Sequence, residues 1–297
     1  MGAWLNLCRW KNLSIISITQ ILVFFYLNKL TPCISIEPDS NTNFILLIFC
    51  TVLLAAGGFI INDLFDEVSD HYNKTDTKII GNKISFKSAQ VFYILTVLTG
   101  NIIALVLSIR LNSLVEYFIY PTIVFLLWVY SYKLKCTPLA GNLFVSIFTS
   151  GVILIIPYAF RNEFNLNSTK PFLTYLQENK SILLMCLFTF SINFYREVVK
   201  DLEDLAGDKI QGCQTTAIYF GEAKTRIISR IILLTHFLLT ILIIQITIPG
   251  IILISIPALI LFIMPYTSLG WNYKILSLSS KLYMILGLIY FLTNYHV

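Results

Sequence analysis

Nine runs of apolar residues recur along this chain, at about 13–31, 44–62, 89–109, 114–131, 142–160, 181–197, 227–246, 248–266 and 279–295. Each approaches the roughly 20 residues that an α-helix needs to cross a bilayer's hydrocarbon core. The runs are continuous rather than alternating, which predicts helices and not barrel strands, since backbone polar groups in lipid must be satisfied within each segment. The pattern therefore predicts an all-α polytopic membrane bundle of nine transmembrane helices, forming one domain over 1–297. The first run has no small-residue cleavage site after it and reads as a retained helix.

Composition strengthens that picture. The chain is 57% hydrophobic and 12% charged, against about 25% charged for a soluble domain. Sixteen of the Lys and Arg residues fall on the side holding the N-terminus and the connections after helices 2, 4, 6 and 8, and five on the other. By the positive-inside rule the first side is cytoplasmic, which places the protein in the cell's inner membrane if it is bacterial. The net charge of +5 follows from this topology and implies no nucleic acid. Six cysteines show no metal-ligand spacing; Cys33, Cys50 and Cys186 read as packing residues, and no disulfide framework is expected.

Charge changes the picture most at two places. Ten of the sixteen acidic residues lie between Asp63 and Asp76 or between Glu197 and Asp208, each group at the cytoplasmic end of an apolar run. Carboxylates concentrated beside a bilayer are costly unless they are neutralised. If helix 2 continues past its apolar end, Asn62, Asp66 and Asp70 share one face at i, i+4, i+8. Asp204 and Asp208 repeat that spacing at the end of helix 6, with Arg196 and Lys200 on preceding turns; Asp63 and Asp201 are offset. The two aspartate pairs are about 138 residues apart, which suggests two four-helix pseudo-repeats plus a ninth helix, with the site where the repeats meet. Two facing carboxylate rows would repel one another, and Mg²⁺, an all-oxygen cation that also takes phosphate ligands, would resolve the conflict. A diphosphate bridging two such ions would be stabilised as a leaving group. The non-enzyme alternative is an ion-coupled transporter, since intramembrane acids also line ion paths.

The run Asn62 to Asp70 resembles the NDxxDxxxD motif of the UbiA superfamily of intramembrane prenyltransferases, and Tyr195 to Asp208 resembles its second aspartate motif. Further similar stretches are Tyr130–Lys135, Pro138–Asn142 and Thr215–Gly221. The form of the second motif is most similar to that of digeranylgeranylglyceryl phosphate synthases. One departure is visible: many members follow the first motif with Asn-Lys-Pro and then Arg-Pro, where this chain has Asn73-Lys74-Thr75-Asp76-Thr77-Lys78. The CDP-alcohol phosphotransferases also use intramembrane aspartates, but their DG and AR pairs are missing from both clusters.

The resemblance implies a bundle around a central cavity and the Mg²⁺-dependent transfer of an isoprenyl group from a polyprenyl diphosphate to a hydrophobic or amphipathic acceptor within the membrane lipid. The acceptor would be of the geranylgeranylglyceryl phosphate type, or alternatively an aromatic quinone precursor. In this scheme Asn62, Asp66 and Asp70 hold one metal ion, and Asp204 and Asp208 the other, with Asp201 as helper. Lys133, Arg196 and Lys200 contact the diphosphate, as do Arg9 and Lys74. Phe65, Tyr130, Tyr132, Tyr158 and Tyr195 are aromatic candidates for steadying an allylic cation.

Overall fold

The structure is a computed structural model and describes residues 2–30, 38–67, 78–161, 176, 180–243, 250–266 and 270–294. Twelve α-helices order these residues: α1 Gly2–Leu7, α2 Trp10–Leu30, α3 Pro38–Phe65, α4 Phe86–Arg110, α5 Ile119–Tyr132, α6 Ala140–Ala159, α7 Lys180–Glu203, α8 Leu205–Gln211, α9 Thr216–Phe220, α10 Glu222–Ile243, α11 Ile256–Ile263 and α12 Tyr273–Asn294. Among the described residues there is no sheet, only an isolated bridge between Ile80 and Ile84. The all-helical expectation holds.

Seven stretches among the described residues are long and apolar enough to cross a membrane: Trp10–Asn28, Ser40–Phe65, Phe86–Arg110, Leu114–Cys136, Ala140–Ala159, Lys180–Glu203 and Tyr273–Phe291. The protein is an integral membrane protein. The remaining two expected spans are helical but differ in kind. α10 carries Glu222, Lys224, Arg226 and Arg230 in its first turns, so its apolar part is shorter than the helix. The run at 248–266 is divided into a π-helical turn Ile251–Ser255, the eight-residue α11 with Pro257 in its first turn, and a 3-10 turn Met264–Tyr266.

Two helices organise the packing. α3 lies against α4 and α5, while α7 lies against α6, α10 and α12; α2 touches α3, α6 and α12 and joins the two groups. Without a hydrophobic drive between helices in lipid, close approach depends on small residues. A Cβ on Gly57 would stand 2.6 Å from Val97 Cγ2, and one on Gly100 2.8 Å from Leu54 Cδ2, so α3 and α4 meet where side chains are missing. Each acidic cluster thus begins at the end of a helix that is held on several sides.

Candidate active site

The first cluster begins where α3 runs out. The helical turn continues one residue further, because Asp66 N–H donates to the Asn62 carbonyl at 2.9 Å. That turn sets Asn62 and Asp66 on one face, as their spacing predicts, and Asn62 Nδ2 donates to Asp66 Oδ2 at 2.6 Å. The other oxygen of Asp66 accepts from Lys135 Nζ at 2.5 Å. This ion pair is poorly solvated, with side-chain exposures of 10% for Lys135 and 20% for Asp66. The Lys135 ammonium also lies 5.9 Å from the centre of the Phe65 ring.

Arg9 reaches the same cluster from the N-terminal side. It occupies the bend between α1 and α2 with a left-handed φ of 52°, and its Nη2 donates to Asp63 Oδ1 at 2.5 Å. The offset Asp63 is therefore a partner for a cation of the chain. Asp70 and Lys74, both named from the sequence, lie outside the described residues.

The second cluster departs from the continuous stripe that its spacing predicts. α7 ends at Glu203, Asp204 adopts φ −92° and ψ 6°, and Asp208 belongs to the separate helix α8. Helical turns still bridge the break, through Asp204 N–H to the Lys200 carbonyl at 2.9 Å and Asp208 N–H to the Asp204 carbonyl at 3.1 Å. The short helix α8 then closes at Gly212 with φ 75°, a conformation glycine adopts without steric cost.

Two observations bring the clusters together. Gln211 Nε2 donates to the Phe65 carbonyl at 3.0 Å, tying α8 to the end of α3. The Asp208 carboxyl is pushed up to about 7, first by burial and then by the negative charges of Asp204, Asp201 and Asp66. Four aspartates from both motifs therefore share one electrostatic neighbourhood. Tyr130 lies within reach of the charges of Asp66, Asp201, Glu197 and Arg9.

The cations divide unequally. Lys133 is exposed, and Lys135 is the lysine that meets an aspartate. α5 ends at Tyr132 and the chain passes into a 3-10 turn, Leu134–Cys136, so a helical period no longer describes which way these side chains point. Arg196 pairs with the buried Glu197, and its Nε is buried without a hydrogen-bond partner among the described residues. The charge of Lys200 reaches Glu197.

The aromatic candidates divide as well. Phe65 and Tyr132 pack edge-on at 5.8 Å beside Trp128. Tyr158 instead stacks under Arg161, 4.7 Å from its ring centre, at the far end of α6, and Tyr195 is buried in the core.

Two features are new relative to the sequence reading. Cys136 and Cys213 form a disulfide across 77 residues of sequence, contrary to the expectation of no disulfide bridging. The bridge joins the turn that carries Lys135 to the connection after Asp208, and Gln214 N–H donates to the Cys136 carbonyl at 3.1 Å beside it. A Cβ on Gly141 would stand 2.8 Å from the Leu134 carbonyl oxygen and 3.0 Å from Lys135 Cα, so α6 begins pressed against the turn that presents Lys135.

Among the described residues no three His, Cys, Asp or Glu side chains converge into a ready-made metal cage. The donors are carboxylate and amide oxygens crowded at like charge, beside an unpaired guanidinium nitrogen. That inventory suits a hard cation that keeps waters, takes one or two carboxylates and fills its remaining positions from a bound phosphate.

The digeranylgeranylglyceryl phosphate synthase of Methanobrevibacter smithii is 30% identical over 190 residues, covering 62% of this chain; the chain spans 61% of that relative's length. A solved structure concerning digeranylgeranylglyceryl phosphate synthase in membranes superposes with a TM-score of 0.64 at 24% identity, covering 98% of this chain and 96% of its own. A UbiA homologue from Archaeoglobus fulgidus, solved bound to GPP and Mg²⁺, gives a TM-score of 0.56 at 16% identity, covering 96% and 98%. The UbiA prenyltransferase family pattern matches residues 33–289, nearly the whole of the chain that carries both aspartate clusters, and the protein belongs to that family.

Proposed function

We propose that this protein transfers an isoprenyl group from a polyprenyl diphosphate to a hydroxyl of a membrane-associated acceptor, with Mg²⁺ as cofactor. The observation that carries the reading is that α8 is tied to the end of α3 by the Gln211–Phe65 hydrogen bond, so that the charges of Asp66, Asp201 and Asp204 all reach Asp208. The Mg²⁺ bound to the A. fulgidus homologue supports the cofactor. The synthase relative supports an acceptor of the geranylgeranylglyceryl phosphate type.

In this reading Asn62 and Asp66, with Asp70, would hold metal on one side, and Asp204 and Asp208, with Asp201, on the other. Mg²⁺ held there would supply positive charge to the departing diphosphate. Lys135, Arg196 and Lys200 add fixed positive charge around the same oxygens, with Arg9 and Lys74 nearby. Such preorganised charge is worth most where water is excluded. The allylic C–O bond breaks and its electron pair leaves with the diphosphate. The ring of Tyr130, close to the acids, steadies the positive charge left on carbon. The acceptor oxygen then bonds to that carbon and gives up its proton to the released diphosphate.

The same reading assigns α3 and α7 to corresponding places in two four-helix repeats. α10 and the 250–266 segment complete nine spans, and the acidic mouth faces the cytoplasm.

The test is turnover of purified protein with geranylgeranyl diphosphate and a panel of glycerol-phosphate and aromatic acceptors, read by product mass spectrometry. Asp66→Ala and Asp204→Ala should each lose at least ~10²-fold in turnover, the loss seen for one catalytic electrostatic group, while remaining folded in detergent. Full activity in either variant removes the metal assignment. Absence of prenylated product and of released diphosphate with every donor removes the enzyme.

A further inference from the structure

Asn142 opens α6, and its side chain is 6% exposed inside the bundle. A buried carboxamide must find partners for both its oxygen and its nitrogen. Here each partner is a motif residue. Asn142 Nδ2 donates to Asp201 Oδ2 at 3.0 Å, and its Oδ1 accepts from the fully buried Thr216 hydroxyl at 2.7 Å. The ionised carboxylate can only accept, so it fixes which end of the amide faces Asp201.

Thr216 closes the circuit. Its backbone N–H donates to the same Asp201 Oδ2 at 3.1 Å, and its hydroxyl accepts from Leu139 N–H at 2.9 Å. Leu139 precedes α6 with a left-handed φ of 60°, a strained conformation for a leucine that its surroundings must hold. Three separate segments, 138–142, 195–208 and 215–221, are thus joined at one carboxylate.

Both bonds fall on Oδ2. They restrain the rotation of the carboxylate and leave Oδ1 outside this circuit. The charge of Asp201 reaches Asp208 in the second cluster, so its rotation is felt where the aspartates crowd. We infer that Asn142 is a positioning residue for the second aspartate cluster: paired with Thr216, it sets the orientation of Asp201 toward the divalent cation. The inference rests on the metal-dependent reading of the site above, and it assigns Asn142 no contact with substrate or metal. Groups that orient metal ligands typically affect metal affinity or activity by 10–100-fold.

The experiment titrates Mn²⁺ into purified protein in detergent and reads free Mn²⁺ by electron paramagnetic resonance, alongside turnover at saturating metal. Asn142→Ala and Thr216→Val are each expected to weaken Mn²⁺ binding by about 10-fold or more. Thr216→Ser, which keeps the hydroxyl, is expected to bind as the unaltered protein does. The double variant should lose little beyond the worse single variant, since both act through one circuit. Turnover at saturating metal should fall less than affinity. Folded variants that bind Mn²⁺ with unchanged affinity overturn the inference and leave the prenyltransferase reading standing. An unaltered protein that neither binds Mn²⁺ nor turns over removes both. If Asn142→Ala fails to fold, Thr216→Val decides; loss of fold in both makes the circuit a structural brace and overturns the positioning role.

Discussion

Asp208 ties the crowding of the acids to a measurable dependence on pH. Burial and the charges of Asp204, Asp201 and Asp66 raise its carboxyl from 3.8 to about 7. A cation bound there must displace the proton, so metal affinity rises with pH. With the carboxyl titrating near 7, about one molecule in eleven is ready for metal at pH 6 and about ten in eleven at pH 8, a difference of roughly 10-fold in apparent affinity or ~1.4 kcal/mol. The metal-free protein shows the opposite trend in stability. Its folded state retains a proton that the unfolded chain loses near 3.8, so this contribution is complete below that pH and disappears as pH rises through 7. Mn²⁺ binding measured at pH 6, 7 and 8 in detergent tests the first part, and Asp208→Asn should flatten the slope. A wild-type affinity independent of pH over that range, or the same slope in Asp208→Asn, would refute the electrostatic argument.

Three further outcomes follow from named contacts. The Cys136–Cys213 bridge closes a 77-residue separation, worth about 4.5 kcal/mol by loop entropy; a reductant should lower the thermal midpoint of the unaltered protein in detergent and leave that of a Cys136→Ser/Cys213→Ser double variant where it was. Lys135→Met removes the ammonium group from Asp66, and for a part-buried pair the cost should be about 1 kcal/mol; thermal unfolding should show Mg²⁺ stabilising this variant more than it stabilises the unaltered protein. Gly141→Ala sets a methyl 2.8 Å from the Leu134 carbonyl oxygen and must displace the turn bearing Lys135; expect turnover to drop by ~10-fold or more, as misplacement of a catalytic group does, with the purified protein still eluting as a single folded species.

The parts of this molecule that could be read from sequence are those fixed by one-dimensional rules. Lipid obliges each crossing segment to satisfy its own backbone, so the hydrophobic runs mark the helices directly. Asn62 and Asp66 were legible because an α-helical turn really does persist between them. The rule failed where the helix stopped. Past Tyr132 the 3-10 turn presents Lys135 to Asp66 and leaves Lys133 outside, and at Asp204 the chain breaks and starts a new helix. Cys136 and Cys213 had no legible relation, because pairing depends on how distant turns meet and spacing carries no trace of it. Asn142 left a faint signal, an amide at the head of an apolar run, that becomes meaningful only beside Asp201 and Thr216.

The two clusters are balanced by different means, and this asymmetry governs how each can take up metal. On the α3 side the negative charge is met by cations of the chain itself, Lys135 on Asp66 and Arg9 on Asp63. On the α7–α8 side a proton on Asp208 relieves the crowding. In the proposed mechanism a cation arriving at Asp66 competes with an ammonium group that stays tethered nearby and becomes free to meet the diphosphate. A cation arriving at Asp208 competes with a proton that departs into solution. Affinity on the first side should therefore respond to substitution of Lys135, while affinity on the second should respond to pH and to Asp208→Asn. Equal responses of both to either perturbation would mean that the metals, if two are bound, are not divided between the clusters in this way.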